Sequence, residues 1–283
     1  MTKEKILFKS QNGFVTASDL KAALERIEAS DCEILYLHTG LDFGIPNREI
    51  PRGQFLAEIF DVILSLNINT VIMPTFTFSF CNNKNFNIQK SRSSMGALNE
   101  YFRLLPSTVR SIDPLLSVCA SGQDIDLISN LGNESIGRHS NFDKLSQKEK
   151  VKFLFFGTNL EDCFTYMHYL EWVAKVPYRY NKNFKGLIIE NDKEEVVNYD
   201  LFVRYNNVLP NSETTKIYKK LLAEKNSLKI HDLGNSSISA VDEFSAKSLY
   251  LELLTSDPNF FIEGEFNEAE ADKTFVANKM VAL

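Results

Sequence analysis

The sequence predicts an α/β fold in which a central mixed sheet is flanked by helices. From residue 16 onward, segments with helical periodicity alternate with short apolar runs, in the order helix, strand, helix, strand. This alternation is typical of layered α/β domains. After Gly186 the pattern changes, because two β-rich segments flank the turn Asn191-Asp192-Lys193. The change predicts a hairpin, followed by a meandering C-terminal portion.

Each element is predicted from its own residue pattern. The predicted helices begin near capping or polar residues and place their apolar residues on one face. They cover residues 16–29, 54–66, 95–105, 124–131, 162–176, 213–225 and 241–254. The predicted strands are short apolar runs that cover residues 33–37, 70–77, 117–120, 151–156, 187–190, 195–199 and 228–231. Residues 79–94 are polar and rich in asparagine, which predicts a long functional or mobile loop.

Length and composition indicate one globular domain. The 283 residues contain no repeat and no Gly/Ser-rich or Pro-rich linker, so we expect a single domain over residues 1–283, with residues 265–283 as a surface tail. Hydrophobic residues make up 44% of the chain and charged residues 24%, which is ordinary for a soluble protein. The net charge of -6 argues against a nucleic-acid-binding protein.

The sequence also predicts a cytoplasmic protein. It contains no uncharged run of about 18 residues, and its first residues lack the apolar segment of a signal peptide. The four cysteines form no C-x-x-C pair and have no regular spacing. They are expected to be reduced thiols, most of them buried.

The segment from Asp162 to Glu171 carries the strongest indication of chemistry. It follows the apolar run 151–156, and Asp162 is the predicted cap of a new helix. At about 100° per residue, Thr165, His168 and Glu171 fall on one stripe of that helix. A hydroxyl, an imidazole and a carboxylate are therefore expected one turn apart near a helix N-terminus. The same spacing is also common in helices whose histidine only packs, so spacing alone leaves a structural role open.

Other catalytic motifs do not occur in the sequence. It has no P-loop, no G-x-G-x-x-G and no G-x-S-x-G, which disfavours nucleotide hydrolases, Rossmann dehydrogenases and α/β-hydrolases. The four histidines are scattered and none lies four residues beyond His168, so no metal site is predicted. Cys163 would lie about 140° from His168 around a helix, which indicates a packing cysteine and not a nucleophile.

A stretch of basic residues follows the His168 segment. Residues 172–186 contain no acidic residue and four basic ones, namely Lys175, Arg179, Lys182 and Lys185. A solvated loop and a phosphate-facing patch beside the helix explain this composition equally well.

The order of several motifs resembles the aminoglycoside 3-N-acetyltransferase family, which moves an acyl group from coenzyme A to a sugar amine. The similar segments are Leu37-His38-Thr39-Gly40-Leu41 (strand–H-S-S-L), residues 71–77 (V-M-P-T-F-T), residues 93–98 (S-R-M-G-A-L), residues 152–157 (a strand) and Thr165-x-x-His168-x-x-Glu171 (T-x-x-H-x-x-E). Together they cover about residues 30–190. The chain differs from the family at Asp113 and Leu116, where the family carries histidines, and at Ser94, where it carries arginine.

The resemblance implies an enzyme that uses acetyl-CoA or another acyl-CoA as cosubstrate, without a metal. His168 would be the general base, and Glu171 would orient its ring. Thr165 would donate toward the thioester oxygen or position the amine. Direct transfer is expected, since no cysteine or serine is placed beside His168. The implied coenzyme site comprises His38, Thr39, Gly40, Leu41, Thr75, Thr77, Arg92, Ser94, Met95 and Gly96.

The acceptor is predicted from charge. A polycationic aminoglycoside needs a site rich in Asp and Glu, whereas the basic residues of 172–186 would attract phosphate. The sequence therefore favours a nucleotide-linked amino sugar of a surface polysaccharide pathway over an aminoglycoside, whose acetylation would give antibiotic resistance. A catalytically silent relative that binds a sugar or a partner is a further alternative, which the presence of both His168 and Glu171 disfavours. No nucleic-acid or membrane partner is expected, and a homodimer is left open.

Overall fold

The structure, a computed structural model, describes residues 5–275. The strands of this part of the chain are β1 (Ile6–Ser10), β2 (Gly13–Thr16), β3 (Ile34–Thr39), β4 (Ile45–Pro46), β5 (Thr70–Pro74), β6 (Phe86–Asn87), β7 (Val109–Arg110), β8 (Val118–Gly122), β9 (Val151–Phe156), β10 (Arg179–Glu190), β11 (Lys193–Arg204), β12 (Leu228–Leu233) and β13 (Ser236–Asp242). The helices are α1 (Ala17–Arg26), α2 (Arg52–Leu64), α3 (Ala97–Arg103), α4 (Asn141–Leu145), α5 (Leu160–Cys163), α6 (Tyr166–Ala174), α7 (Ser212–Glu224) and α8 (Glu243–Ser256).

A seven-stranded mixed sheet, in the order β12-β13-β9-β3-β5-β8-β7, lies at the centre of the molecule. β3 pairs in parallel with both β5 and β9. The remaining neighbours in this sheet pair antiparallel. All six residues of β9 are buried, as expected for an inner strand covered on both faces. The predicted α/β class with a central mixed sheet is therefore confirmed.

Alternation along the central strands divides the core into two layers. Leu35 and Leu37 of β3 pack in the layer that contains α1, α2 and α3. Tyr36 packs in the other layer, which contains α6 and α8. His38 points to the same side as Tyr36, where its ring stacks on Phe155 at 5.3 Å. The sheet thus brings His38 to the layer that holds the His168 helix.

Two local predictions were tested by hydrogen bonds near helix starts. Thr16 and Asp19 form a capping box at α1, which confirms the predicted cap. The helix predicted after Asp124 is wrong, because residues 125–128 form only a short 3₁₀ turn. Asp124 does not cap it, since its carboxylate accepts hydrogen bonds from the Thr70 hydroxyl and the Lys148 ammonium group.

The predicted hairpin exists but is much longer than its sequence signal. β10 and β11 are 12 residues each and pair from Arg179 opposite Arg204 to Glu190 opposite Lys193. Asn191 and Asp192 both have positive φ, of 50° and 62°, as a tight type I′ turn requires. The pair extends into a three-stranded sheet through β6, which lies inside the predicted loop 79–94.

Several elements were not predicted. β1, β2 and β4 form a small separate sheet, and β13 lies between β12 and β9. β13 is rich in serine at its start, so its sequence resembled a turn, although it is an inner strand of the central sheet. Among residues 5–275, no helix combines the length and apolar character needed to span a bilayer.

The predicted surface tail is described in part. Residues 276–283 lie outside the described residues, and residues 265–275 run over the β10–β11 hairpin. The ring of Phe266 stacks on Tyr205 at 5.2 Å, and Phe275 contacts Phe184 edge-on at 5.1 Å. The Tyr180 hydroxyl also donates to the Lys273 carbonyl oxygen. The described part of the tail is therefore attached to the hairpin.

Candidate active site

The helix predicted from Asp162 to Val176 is broken into α5 and α6. Phe164 interrupts it with a ψ of 73°, because its ring is buried against Phe153 at 4.8 Å. Thr165 is the N-cap residue of α6, and its hydroxyl donates to the Cys163 carbonyl oxygen at 3.3 Å. The prediction of one continuous helix is therefore wrong at Phe164, and Thr165 lies at the start of α6. His168 and Glu171 remain one turn apart in α6.

His168 and Glu171 form the predicted side-chain pair. Nδ1 of the imidazole lies 3.2 Å from Oε2 of the carboxylate. The His168 side chain is 12% exposed and that of Glu171 only 4%. Nε2 of His168 is buried and has no hydrogen-bond partner within residues 5–275. Nε2 is therefore the ring nitrogen that is left for proton exchange with a ligand.

Tyr178, just before β10, and Arg179, its first residue, hold the carboxylate. The Tyr178 hydroxyl donates to Glu171 Oε1 at 2.9 Å, and the Arg179 guanidinium lies 2.7 Å from Oε2. The sequence assigned Arg179 to a basic patch, yet its side chain is only 1% exposed. Its guanidinium also donates to the Phe202 carbonyl oxygen at 3.0 Å. Tyr178, whose role the sequence did not indicate, is likewise buried.

The contacts of His168 Nδ1 define two tautomers. Arg179 places a guanidinium nitrogen 2.6 Å from Nδ1, and this contact requires an unprotonated Nδ1 that accepts. The contact with Glu171 requires a protonated Nδ1 that donates. Only the second tautomer leaves Nε2 with a free lone pair. His168 can therefore act as a base at Nε2 only when Nδ1 donates to Glu171 and does not accept from Arg179.

Burial and the neighbouring charges shift both ionisations. Burial, together with the charge of Arg179, lowers the pKa of His168 to about 4 despite the opposing effect of Glu171. Burial acts to raise the pKa of Glu171, but the charge of Arg179 and the hydrogen bond with His168 outweigh it and lower that pKa to about 2. At neutral pH the pair is therefore a neutral imidazole beside a carboxylate.

A cavity of about 400 Å³ opens beside this pair. Its wall includes His168, Glu171, Arg179 and Arg204, together with residues of α5, α7 and α8. Cys163 also lines it, but burial raises the pKa of the thiol to about 12. Its Sγ donates to the Asn159 carbonyl oxygen at 3.2 Å, which fits the predicted packing role.

The four basic residues of 172–186 do not line one site. Only Arg179 reaches the His168 cavity. Lys175 is exposed at the end of α6, and Lys182 lies over the ring of Phe184 at 5.7 Å. Lys185 is exposed six residues further along the strand than Arg179, a distance of about 20 Å. The four residues therefore form no common phosphate-facing patch, because Lys175 ends α6 and the other three are spread along β10, with Lys182 on the opposite face from Arg179.

Two further cavities follow the carboxyl ends of β3 and β5. The narrower one has a volume of about 140 Å³ and is lined by His38, Thr39, Thr165 and the aromatic rings of Phe76 and Phe78. It shares Asp162 and Cys163 with the His168 cavity and Thr39 with the other one. The outer cavity, of about 670 Å³, is lined by the loop after β3 and by both α2 and α3. The three cavities are therefore neighbours, in a row.

The residues predicted to bind the coenzyme fall into two groups. Those on the walls of the two further cavities are His38, Thr39, Gly40, Leu41, Met95 and Gly96. Those outside these walls are Thr75, Thr77, Arg92 and Ser94. Thr75 is fully buried, and its hydroxyl donates to the Ser117 carbonyl oxygen at 3.2 Å. Thr77 bonds the Ser79 hydroxyl at 2.7 Å, while Arg92 and Ser94 are exposed.

Gly40 allows the loop after β3 to touch the loop after β9. A Cβ atom at this position would lie 2.4 Å from the Gly157 carbonyl oxygen. The Gly40 amide donates to the Phe156 carbonyl oxygen at 3.1 Å, which holds the two loops together. Burial lowers the pKa of the neighbouring His38 to about 3, so this imidazole is neutral and serves as a packed aromatic ring.

The sequence did not indicate three residues of these cavities. Asn99 of α3 links the ends of two strands, because its amide donates to the Pro74 carbonyl oxygen at 2.8 Å and its oxygen accepts from the Thr39 hydroxyl at 2.5 Å. Arg48 and Arg52 line the outer cavity and are exposed. A buried amide within an apolar helical face was the available signal for Asn99, whereas nothing in the pattern distinguished the two arginines.

Asp113, which stands where the resembling family has a histidine, has a structural role. Its carboxylate accepts from the backbone amides of Leu115 and Leu116 and from the Ser135 hydroxyl. Burial raises its pKa despite these bonds. Nearby, the Arg110 guanidinium donates to three backbone carbonyl oxygens and so ties the loops around β7 together. No cluster of His, Cys, Asp and Glu within residues 5–275 has the makeup of a metal site.

Comparison with known proteins gives matches at two levels. Residues 67–251 match the family model described as aminoglycoside 3-N-acetyltransferase. Similar solved structures include the apoenzyme of aminoglycoside acetyltransferase AAC(3)-IVa, with 17% identity, a TM-score of 0.70 and coverage of 100% of this chain and 98% of that one. AAC-IIIb with CoASH has 17% identity, a TM-score of 0.70 and coverage of 89% and 99%. AAC-VIa bound to sisomicin has 16% identity, a TM-score of 0.71 and coverage of 85% and 97%.

At these identities the solved structures share the fold. No curated protein sequence matches the chain.

Proposed function

The chain belongs to the aminoglycoside 3-N-acetyltransferase family, and we propose that it transfers an acyl group directly to an amine of an amino sugar, with His168 as the general base. Family membership makes the chain an N-acetyltransferase with acetyl-CoA as its cosubstrate. The observation that carries the proposed mechanism is the His168–Glu171 pair, which lies on a cavity wall with Nε2 unpartnered.

The proposed reaction uses this pair to move one proton. The acceptor amine attacks the thioester carbonyl carbon while Nε2 of His168 takes the amine proton. Nδ1–H donates to Glu171 and spreads the positive charge that develops on the ring. Tyr178 and Arg179 keep the carboxylate in place through their contacts of 2.9 and 2.7 Å. Collapse of the tetrahedral intermediate breaks the C–S bond, and the protonated imidazole supplies the proton for the leaving thiolate.

The row of cavities supports a path for the cosubstrate. The outer cavity, with the exposed Arg48 and Arg52, suits the phosphates of the coenzyme. The narrow aromatic cavity suits the pantetheine arm, and it borders the His168 cavity at Cys163. The thioester would then reach the boundary beside α5, close to the N-cap residue Thr165. A role for the Thr165 hydroxyl at the thioester oxygen requires it to leave the Cys163 carbonyl oxygen.

The charges of the His168 cavity support a nucleotide-linked amino sugar as acceptor. Three carboxylates line this cavity, but Glu161 is paired with Lys219 at 2.9 Å and Glu171 with Arg179. Only Asp162 is free of an ion pair within residues 5–275. A polycation needs several free carboxylates, which this cavity does not supply.

An aminoglycoside is the second candidate acceptor. The family description and the sisomicin bound to AAC-VIa, a similar solved structure, favour it. Both candidates require the same chemistry at His168, so they differ only in the group that accompanies the amine.

The deciding experiment measures thiol release from acetyl-CoA with two acceptor panels. One panel contains nucleotide-linked amino sugars, and the other contains kanamycin-type and gentamicin-type aminoglycosides. Turnover with the first panel and loss of that turnover in His168→Ala would support the proposal. Efficient acylation of the antibiotics alone would overturn the acceptor, and wild-type rates in His168→Ala would overturn the base.

A further inference from the structure

Arg204 is a second guanidinium on the wall of the His168 cavity. It lies directly opposite Arg179 at the open end of the β10–β11 hairpin. Residues opposed in this way point to the same face of the sheet, with Cβ atoms about 5 Å apart. Burial lowers the pKa of Arg204 to about 10, which leaves the side chain charged at neutral pH.

The two arginines differ in their partners. Arg179 is paired with Glu171 at 2.7 Å. No carboxylate within residues 5–275 forms an ion pair with Arg204, and its Nε is buried without a hydrogen-bond partner. The carboxylate whose charge acts on Arg204 is Glu171, which Arg179 already holds. Of the two arginines, only Arg179 therefore has a counter-charge in contact, and the charge of Arg204 is left without one.

An unpaired charge in a partly buried site is costly, so a ligand that supplies the counter-charge gains from meeting it. The first turn of α7 borders the same cavity through Ser212 and Thr215. The N-terminus of a helix of this length also favours negative charge. Asn211 already accepts from the amides of Glu213 and Thr214, so the helix end adds only its dipole, and Arg204 is the feature that selects for an anion.

We propose that Arg204 is an oxyanion subsite for the acceptor, which carries a phosphate or carboxylate group that binds this guanidinium while its amine faces His168. The inference rests on the proposed function and specifies its substrate class. It assigns the anion to the acceptor and not to the coenzyme, because the loops expected to hold the coenzyme line the two other cavities, whose walls do not include Arg204.

The test compares three acceptors that differ in their anionic group. Glucosamine has none, glucosamine 6-phosphate carries a phosphate, and 2-amino-2-deoxyglucuronate carries a carboxylate. With the wild type we expect the KM of an anionic acceptor to be lower than that of glucosamine. Arg204→Gln should raise the KM of the anionic acceptor about tenfold to a hundredfold, as expected for a lost charge-assisted bond. The KM values of acetyl-CoA and of glucosamine should stay within about twofold.

The two anionic arms show which oxyanion the acceptor carries, and two variants act as controls. Arg204→Lys keeps the charge and should recover part of the affinity. Lys185→Gln removes an exposed charge of β10 outside the cavity and should change nothing. An equal loss with glucosamine and with the anionic acceptors would overturn the subsite, as would a raised KM for acetyl-CoA alone.

A binding measurement separates this inference from the proposed function. Inorganic phosphate and acetate should each raise the Tm of the wild type, and Arg204→Gln should lose the part of that shift that does not come from Arg48 and Arg52, while Lys185→Gln keeps all of it. If no acceptor is turned over, the proposed function fails, but the subsite is still decided here. Identical anion-induced shifts in the wild type and in Arg204→Gln would overturn it.

Discussion

The Arg179 guanidinium lies 2.7 Å from the Glu171 carboxylate and 2.6 Å from His168 Nδ1, so one buried arginine contacts both members of the proposed catalytic pair. It holds the carboxylate in place and also competes for the ring nitrogen that the carboxylate must orient. The same charge contributes to the low pKa of His168. Arg179 therefore influences both the tautomer and the pKa of His168 before a substrate binds.

Replacement of His168 tests the general base. We expect His168→Gln to remain folded, because glutamine fills a similar volume and can still bond Glu171 or Arg179. Turnover should fall by about two to four orders of magnitude, the usual contribution of a general base. Circular dichroism and unfolding would verify the fold, and steady-state thiol release would give the rate. Near-wild-type turnover in a folded variant would exclude His168 as the base.

Replacement of Glu171 should cost stability as well as activity. Glu171→Gln leaves the buried Arg179 without its counter-charge, which should lower the free energy of unfolding by about 3–5 kcal/mol. The matched control is Tyr178→Phe, which removes only the hydrogen bond to Oε1 and should cost about 1–2 kcal/mol. Urea unfolding measures both. Equal losses in the two variants would show that the charge of Glu171 contributes little beyond its hydrogen bonds.

The sequence predicted the contact between His168 and Glu171 because that contact is local. Residues three apart in a helix are neighbours whatever surrounds them. The partners that control the pair come from β10, and Arg179 looked like one member of a solvated or phosphate-facing patch. Its position depends on where β10 starts and which face it presents, and neither follows from the composition of 172–186.

The same difference between local and tertiary signals explains which parts of the fold were predicted. The inner strand β9 and the turn Asn191-Asp192 were predicted because their signals lie in the segment itself. β13 was missed, since its serine-rich start is a strand only by pairing with β9 and β12. The break at Phe164 was missed for a similar reason, because a tertiary aromatic contact overrides the helical pattern there.

The depressed pKa values predict loss of stability in acid. The pKa of His168 is about 4 in the folded protein and about 6.5 in an unfolded chain, so below pH 6.5 the unfolded state binds a proton that the folded state does not. Its contribution is complete above pH 6.5 and is lost as the pH falls to 4. Glu171, with a folded pKa of about 2, contributes a further loss below its usual value of about 4.5.

Unfolding of the wild type and of His168→Gln across pH 7 to 4 measures this effect. The stability advantage of the wild type over the variant should shrink by about 3 kcal/mol over this range, since glutamine does not titrate. His38 remains in both proteins, so its own low pKa cancels in the comparison. A difference that is constant with pH would mean that His168 titrates alike in both states.

Gly40 should be essential to the proposed coenzyme site. Gly40→Ala places a Cβ 2.4 Å from the Gly157 carbonyl oxygen, which is closer than real contacts allow, so the loops after β3 and β9 must move apart. We expect a stability loss of about 1–3 kcal/mol, as for other overpacked sites, together with weaker binding of coenzyme A. The control is Gly53→Ala in α2, where nothing lies within 4 Å of the added carbon. Calorimetric titration of the two variants should separate them, and equal affinities for coenzyme A would contradict a role for this loop contact.

The last prediction concerns the outer cavity and the phosphates of the cosubstrate. Arg48 and Arg52 line this cavity, are exposed, and form no ion pair within residues 5–275. Guanidinium groups bind phosphate through charge-assisted hydrogen bonds, and exposed ones do so less strongly at high salt. The Arg48→Gln/Arg52→Gln double variant should therefore bind coenzyme A about tenfold or more weakly in low salt, with a smaller difference in high salt. Its affinity for pantetheine, which has no phosphate, should not change. Arg138→Gln removes an exposed arginine outside the cavities and should match the wild type. An equal loss of affinity for pantetheine and for coenzyme A in the double variant would mean that the arginines shape the cavity and do not bind the phosphates.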